Sequence, residues 1–519
     1  MAKKFNIAGR CIAAWHYMAD TSRKQKAVLK MVEEGDYFII NRPRQYGKTT
    51  TLHNIADALI VSGEYIVFNT SFEGVGDDIF NTEEEFAPGF VGLLSTNAET
   101  YAPELVEWLD EAVPTVHKLN TLSKFITQLV TKANKKVVLI IDEVDKSSNN
   151  QLFVSFLAML RDKFLIRDKV STFHSVVLAG VHDVKSLKLK IRQDETAKFN
   201  SPWNIAADFK VDMNLQPFEI KPMLDDYVAE KGVKMDTAAM AEDLFYYTSG
   251  YPFLVCKLCK MMDEEILPTK ETQEWTEQDL ERAVKQLILE PNTNFESLIK
   301  NLENSPDLYQ IAYRMLINGE YQDYNIHDPL ISMGVMFGIF KNGRGIKIHN
   351  KIYEELIYHY MTSKTKSQFL FGEYTINKNF KLANNALNME LVLLKFQAFV
   401  HEQYSKHDRD FLERHGRLVY LAFMKPILNG HGYDFKEVQI SEERRLDVTI
   451  TFYQHKYVAE LKIWRGPVAH EEGLEQLSDY LDRLKLTEGY LIIFDHKEIK
   501  TWDSGWIDYK DKKIFIIWV

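Results

Sequence analysis

Cysteine is scarce in this chain, with three in 519 residues. Three cysteines cannot build a disulfide framework, so the small secreted scaffolds are excluded and a reducing compartment is indicated. Nowhere does the sequence approach the roughly 20 consecutive apolar residues that span a bilayer. The N-terminus, MAKKFNIAGRCIAAWHYMAD, has two lysines followed by an apolar stretch that Arg10 and His16 interrupt, which argues against a signal peptide. The expectation is a cytoplasmic protein with no membrane partner. A basic excess is also missing. The formal net charge is −11, so the surface as a whole is no electrostatic glove for nucleic acid, although a local basic groove fits within an acidic total. Internal repeats and low-complexity tracts are absent, and so is a second motor core or a helicase motif series, which argues against a processive helicase.

What remains is an ordinary globular composition, 45% hydrophobic and 26% charged, in a chain of 60.5 kDa. That length exceeds a single core and implies about two to four domains. From Asp36 to Glu73 the pattern reads strand, tight loop, helix, strand: Tyr37–Ile40, then Lys48–Val61, then Tyr65–Phe68. Helical spacing returns over Pro103–Val113 and Leu119–Lys132, and Gln151–Lys163 reads as a further helix. Val137-Val138-Leu139-Ile140-Ile141 and Ser175–Ala179 are apolar runs of the kind buried on both faces of a parallel sheet. Such alternation predicts a doubly wound α/β domain. Beyond Phe209 the chain turns mainly helical, Met336–Ile348 suits a small hairpin, and Thr362–Asn385 reads as a polar linker or peripheral segment. A third unit starts at Met389 with two helices. Strands follow at Phe435–Ile440, Leu446–Tyr453 and Lys456–Ile463, then a helix over Glu471–Lys485 and a strand at Tyr490–Phe494.

Two constellations carry chemistry. Asn41 to Thr49, NRPRQYGKT, falls at the turn from the first strand to the first helix. A phosphate-binding loop needs inward backbone N–H groups, a helix N-terminus, a lysine for the β/γ-phosphates and a hydroxyl for Mg²⁺. Gly47, Lys48 and Thr49 supply that end, with Arg44 and Thr50 flanking as further nucleotide-binding candidates, but Arg42 stands where the first glycine of such a loop usually lies. The apolar strand ending in Asp142-Glu143 has the form of a Walker B element. There Asp142 would hold Mg²⁺ through water and Glu143 would orient and deprotonate the attacking water. In the third unit, Asp447 is followed thirteen residues later by Glu460-Leu461-Lys462. Glu460 and Lys462 share one face of a strand, and a tight turn near Gln454-His455 would bring Asp447 alongside. Asp447, Glu460 and the Leu461 carbonyl could hold Mg²⁺ or Mn²⁺, with Lys462 positioning the nucleophile.

The loop resembles the "RPRRFGKS" loop of a prokaryotic AAA-like ATPase family, whose members also lack the first glycine. Ala179 to Lys185 resembles a sensor-1 position, and Ser249-Gly250-Tyr251-Pro252 resembles the lid turn of archaeal-type and STAND ATPases. Arg161, Arg192 and the Lys185/Lys188/Lys190 group are open candidates for an arginine-finger role, and equally a solvated charged face. Members of the family often carry a C-terminal PD-(D/E)xK nuclease domain. Here Phe435 to Val438, Arg445-Leu446-Asp447, Ala459 to Trp464 and the pair Gln476 and Tyr480 resemble that fold. Glu413 matches an acidic residue that some members contribute from the first helix, and reads equally as a surface glutamate; Glu437 is open in the same way.

The fold class expected is α/β: an AAA-like P-loop NTPase domain over 1–210, a helical lid with a winged-helix module over 211–365, a linker over 366–388 and a PD-(D/E)xK nuclease-like domain over 389–519. The function the resemblance implies is ATP binding and hydrolysis coupled to metal-dependent cleavage of DNA, less readily RNA, with homo-oligomerisation and a genome-defence role. The competing reading is a nucleotide-dependent switch whose C-terminal fold binds DNA or protein without cutting. Cys256 and Cys259 have metal or redox spacing, but read better as buried helical cysteines. His16-Tyr17 reads as core or surface rather than as a contact to the nucleotide base.

Overall fold

The computed structural model describes residues 2–144, 151–181, 203–316, 322–343, 345–368, 380–404, 409–428, 432–435, 448–464, 466–495 and 502–519. The chain divides into two compact units, residues 1–308 with 324–353, and residues 309–323 with 354–519.

In the first unit, α1 (Ser22–Glu33) precedes β1 (Tyr37–Asn41), α2 (Lys48–Ser62) and β2 (Tyr65–Ser71). Then come α3 (Glu83–Tyr101), α4 (Val106–Ala112), α5 (Leu119–Ala133), β3 (Lys136–Asp142), α6 (Gln151–Leu165) and β4 (Ser175–Gly180). The strands form a four-stranded sheet, all parallel, in the order β1-β4-β3-β2. The strands are apolar through their middles, without polar alternation, because both faces are covered. Tyr37, Ile39, Leu139 and Ile141 enter one core with α3 and α5, while Phe38, Ile40, Val138 and Ile140 enter the other with α1 and α2. Each such side chain contributes about 1.5–3 kcal/mol on full burial, so the sheet's order is fixed by its two cores. The polar residues that end these strands, Asn41 and Asp142, fall at its carboxyl edge, where ligands of open α/β sheets bind.

Helices α7 (Pro217–Lys231), α8 (Thr237–Thr248), α9 (Pro252–Met261), α10 (Glu277–Leu289) and α11 (Thr293–Glu303) follow. A buried ion pair between Lys24 on α1 and Glu219 on α7 ties them to the sheet unit. Glu219 also closes the capping box of α7, its Oε2 accepting the Gln216 N–H at 2.8 Å. Next are α12 (Pro306–Leu316), α13 (Pro329–Met336), the antiparallel pair β5 (Phe340–Asn342) and β6 (Ile346–Ile348), and α14 (Lys351–Gln368). The hairpin expected over Met336–Ile348 therefore forms. The linker expected from Thr362 does not begin there: α14 stays helical to Gln368, with Thr362 fully buried and its hydroxyl donating back to the Tyr358 carbonyl at 3.0 Å.

The second unit holds most of α12 and α14, then α15 (Met389–Tyr404), α16 (Arg409–Leu428), β7 (Gly432–Phe435), β8 (Val448–Phe452), β9 (His455–Ile463), α17 (Pro467–Leu484), β10 (Glu488–Phe494), β11 (Ser504–Tyr509) and β12 (Lys512–Trp518). Its six-stranded sheet runs β11-β12-β10-β9-β8-β7; β9, β10 and β12 are mutually parallel, whereas β7, β8 and β11 pair antiparallel with their neighbours. On one face α17 packs Leu474, Leu477 and Leu481 onto Val458, Leu491, Ile493 and Ile514. Phe396 of α15 and Gly416 of α16 lie against Phe494, which alternates to the other face. The strand expected at Phe435–Ile440 is found at Gly432–Phe435; 436–440 lie outside the described residues.

Candidate functional site

The turn between β1 and α2 is built by two left-handed residues, Gln45 at φ 56° and Gly47 at φ 77°, the latter capping α2. A Cβ on Gly47 would meet nothing within 4 Å, so the left-handed φ and not crowding is what favours glycine there. Arg42 needs no unusual backbone, and its side chain explains why a glycine is dispensable there. The guanidinium donates to the Val211 carbonyl at 2.9 Å and lies 5.1 Å over the Phe209 ring, pinning the start of the loop; burial pulls its pKa down.

Lys48 is buried, its ammonium donating to the Arg42 and Pro43 carbonyls at 2.9 and 3.0 Å. The Thr49 hydroxyl donates to Asp142 Oδ2 at 2.7 Å, joining the two halves of the motif across 93 residues of sequence. Asp142 Oδ1 accepts the Glu143 N–H at 2.9 Å, and Glu143 itself sits at φ 54°. A left-handed glutamate costs on the order of 1 kcal/mol or more, a strain that clusters at functional positions. Arg44 is exposed and its carbonyl accepts the Tyr251 hydroxyl at 2.6 Å. The Thr50 hydroxyl accepts the Cys11 N–H at 3.0 Å, so that side chain anchors the N-terminal segment.

That segment and the start of α1 enclose a cavity of about 360 Å³ against α2, lined by Cys11, Ile12, Thr21, Gln25, Asn54 and Asp57. Asp57 pairs with Arg10 at 2.5 Å. His16 closes the adjoining turn, its Nδ1 accepting the Ile12 N–H at 2.8 Å, and Tyr17 is packed between Phe5 and Tyr227. Cys256 and Cys259 both lie on α9, and burial pushes both thiols up, Cys256 to about 12. Arg161 donates to Asn204 Oδ1 at 2.8 Å, while Lys185, Lys188, Lys190 and Arg192 lie outside the described residues.

Two motif residues, Tyr46 of the loop and Tyr251 of the lid turn, meet a set of polar side chains that belongs to no motif: Asn214, Asn294, His349 and Tyr353. Tyr46, 4% exposed, bonds through its hydroxyl to Asn214 and stands 2.9 Å from His349 Nε2. Tyr251 and Tyr353 meet on Asn294, the Tyr353 hydroxyl donating to Asn294 Oδ1 at 2.6 Å. Nothing in spacing marks those four, because they come from distant segments and meet only in the fold.

In the second unit, β9 presents Glu460 and Lys462 to α17. Glu460 is completely buried, with Lys462 Nζ 2.9 Å from its Oε1, and the same ammonium donates to Gln476 Oε1 at 2.8 Å. Four residues on, Tyr480 reaches Thr449 of β8 through hydroxyls 3.2 Å apart. Three of the expected residues are thus brought together. Asp447 precedes the first residue of β8, whose Val448 pairs with Ala459, but Asp447 and Glu437 lie outside the described residues. Glu413 falls on α16, and Leu461 pairs with Ile492 of β10. Among the described residues no group of three or more His, Cys, Asp or Glu side chains is gathered for a metal. Asp495, 2% exposed just past β10, is a buried carboxylate that belongs to no sequence motif.

A parallel sheet with both faces covered, a lysine at the start of the first covered helix and a threonine–aspartate pair at the carboxyl edge define a P-loop ATPase domain. The chain belongs to the AAA-like domain family, whose model matches residues 11–358. Solved structures with similar architecture include a Walker-type ATPase of Pyrococcus abyssi, at 11% identity and TM-score 0.48, covering 68% of this chain and 99% of that one. The ORC2 protein of Aeropyrum pernix follows at 14% and 0.38, covering 69% and 96%. The RuvB branch migration motor of Thermotoga maritima stands at 15% and 0.34, covering 66% and 95%. These likenesses add no functional assignment. No curated protein matches the chain. Among the described residues no helix is long and apolar enough to cross a membrane.

Proposed function

We propose that the protein is an ATPase whose nucleotide state controls a metal-dependent nuclease carried by the second unit, with DNA the preferred substrate over RNA. The observation that carries the nuclease half is the Lys462 ammonium held between Glu460 and Gln476, at 2.9 and 2.8 Å, on a strand whose hairpin partner starts right after Asp447. Completely burying a carboxylate costs several kcal/mol even when paired, so a site of this kind is weakly explained by stability alone. Mg²⁺ or Mn²⁺ bound there would lower the pKa of a water and neutralise phosphate charge. Glu460, Asp447 and the Leu461 carbonyl are the oxygen ligands suited to hold it, with Glu413 a further candidate. Lys462 would place the water's oxygen, and Gln476 would keep the ammonium aimed along the strand.

In the first unit the residues fit a nucleotide with Mg²⁺: Lys48 lies at the loop carbonyls, and Thr49 and Asp142 are already paired at 2.7 Å. Lys48 would exchange its two loop carbonyls for phosphate oxygens, and Glu143 would orient water for hydrolysis. The cavity beside α2, about 360 Å³, is of a size that takes the base and ribose. Residues 211–365 are assigned as a helical lid with a winged-helix module, and 389–519 as a PD-(D/E)xK domain. A cytoplasmic, homo-oligomeric protein in genome defence suits this combination.

A second reading keeps the second unit as a grip for DNA without cutting, since Lys462 already has two partners and could simply hold a phosphate. Glu460→Ala and Lys48→Ala separate the two. Cutting that vanishes in Glu460→Ala while ATP turnover persists supports the nuclease; DNA binding with no cutting in any protein supports the grip.

A further inference from the structure

The segment between β6 and α14 reaches the phosphate-binding loop through His349. It is 4% exposed, lies between the end of β6 and the first turn of α14, and its Nε2 stands 2.9 Å from the Tyr46 hydroxyl. The protons can be placed by elimination. Asn214 Oδ1 accepts from the Tyr46 hydroxyl, so His349 Nε2–H donates to the Tyr46 oxygen, and Asn350 Nδ2 donates to His349 Nδ1 at 3.3 Å. A neutral imidazole with its proton on Nε2 satisfies every partner.

Tyr46 is the residue immediately before Gly47, so a group that fixes its side chain fixes the entry to the left-handed cap of α2. The loop is held from the same side at two further points. Tyr251, whose ring lies 5.6 Å from that of His349, donates to the Arg44 carbonyl. Gly338 packs against Pro43 so closely that a Cβ there would stand 2.8 Å from Pro43 Cγ. The hairpin side of this contact is equally determined. His349 N–H donates to the Ile339 carbonyl at 2.8 Å, Asn350 Oδ1 accepts the Tyr353 N–H at 2.8 Å to start α14, and Lys341 donates to Ser249 Oγ at 2.7 Å.

We propose that His349 is a positioning residue for nucleotide binding: it holds the phosphate-binding loop in its competent shape through Tyr46, and nucleotide occupancy is thereby linked to the seating of the β5–β6 hairpin and the first turn of α14. The proposal rests on the reading of the loop as a nucleotide site. Its physical basis is reciprocity. A contact that preorganises the loop for phosphate must itself be strengthened when phosphate is bound, by the same factor. Helix α14 begins in the first unit and its chain continues into the second, so the linkage ends on the segment that leads to the candidate nuclease.

The test uses the full chain and a fluorescent ADP analogue, comparing wild type with His349→Leu, His349→Gln, Tyr46→Phe and Lys48→Ala. Losing the buried hydrogen bond between His349 and Tyr46 is expected to weaken binding roughly ten-fold in His349→Leu, and at least as much in Tyr46→Phe, which also loses the bond to Asn214. Restoration to within about three-fold is expected in His349→Gln, which retains an N–H donor. Hydrogen exchange over residues 346–356 is expected to slow on adding ADP in wild type and His349→Gln, and to be unchanged by ADP in His349→Leu. A stabilising role alone would leave that ADP response in place. Wild type that binds no ADP, like Lys48→Ala, sinks the nucleotide reading and this inference with it. Wild type that binds, with His349→Leu and Tyr46→Phe binding equally well or the ADP protection intact in both, overturns this inference only. Should His349→Leu fail to fold, Tyr46→Phe and His349→Gln decide the matter.

Discussion

Burial of His349 has a consequence for stability as a function of pH. Its enclosure among Tyr46, Tyr251 and Tyr353, with Lys341 as the nearby cation, holds the imidazole at about 3 against an ordinary 6.5. The folded value is depressed, so the unfolded chain binds the proton first and stability falls as pH drops below 6.5. A group titrating at 6.5 when unfolded and near 3 when folded is still almost fully stabilising at pH 7, and by pH 5 has lost about 2 kcal/mol, roughly a thirty-fold change in the opening equilibrium. His16, His53 and His174 are lowered in the same direction by burial, so the wild-type curve alone is not diagnostic. The comparison with His349→Gln is, because the other histidines cancel. The assay is hydrogen exchange of the β1, β3 and β4 amides in both proteins at pH 7 and pH 5. Wild type should lose about 2 kcal/mol more than the variant over that interval. Equal losses, within about 0.5 kcal/mol, would mean that the imidazole is protonated or solvated in the fold and that the proton assignment at Tyr46 is wrong.

Two further changes probe the frame of the first unit. Glu219→Ala leaves Lys24 buried with only the Asn214 carbonyl, at 2.8 Å, and removes the capping box of α7. A loss of about 3–5 kcal/mol in denaturant unfolding is expected, and a loss below about 1 would show that Lys24 reaches water. Gly250→Ala places a Cβ 2.0 Å from the Leu215 carbonyl oxygen at a φ of 72°, so a lowered thermal midpoint is expected, with the Tyr251 contact to the loop weakened. An unchanged midpoint would contradict the packing of the 249–252 turn.

The parallel sheet was legible because burial on both faces leaves no polar alternation, as Val137–Ile141 shows. The phosphate-binding loop was legible because Gly47, Lys48 and Thr49 are adjacent in sequence. Helix α3 was not, since Pro88, Gly89 and Gly92 interrupt its pattern; Phe86, Phe90, Val91 and Leu94 hold it helical by burial in the core. Strands β11 and β12 went unread, although the apolar run Ile514–Ile517 at β12 carried a signal. In the second unit, Glu460 and Lys462 were read from spacing and Gln476 from the family resemblance, and the three meet in the fold. Tyr46 and Tyr251 stood inside the loop and the lid turn, but their meeting with Asn214, Asn294, His349 and Tyr353 was invisible, because a lone histidine, asparagine or tyrosine has no period and its partners are set by tertiary packing. The left-handed backbone at Glu143 was equally hidden, since no residue preference announces a strained glutamate.

The central claim is that nucleotide binding in the first unit governs phosphodiester cleavage in the second. It is tested most directly by incubating wild type, Glu460→Ala and Lys48→Ala with plasmid, linear and single-stranded DNA and with RNA, in Mg²⁺ or Mn²⁺, with and without ATP. The expected result is cutting, with DNA preferred, that disappears in Glu460→Ala and whose ATP dependence disappears in Lys48→Ala. No cutting under any condition, with ATP turnover intact in wild type, would contradict it.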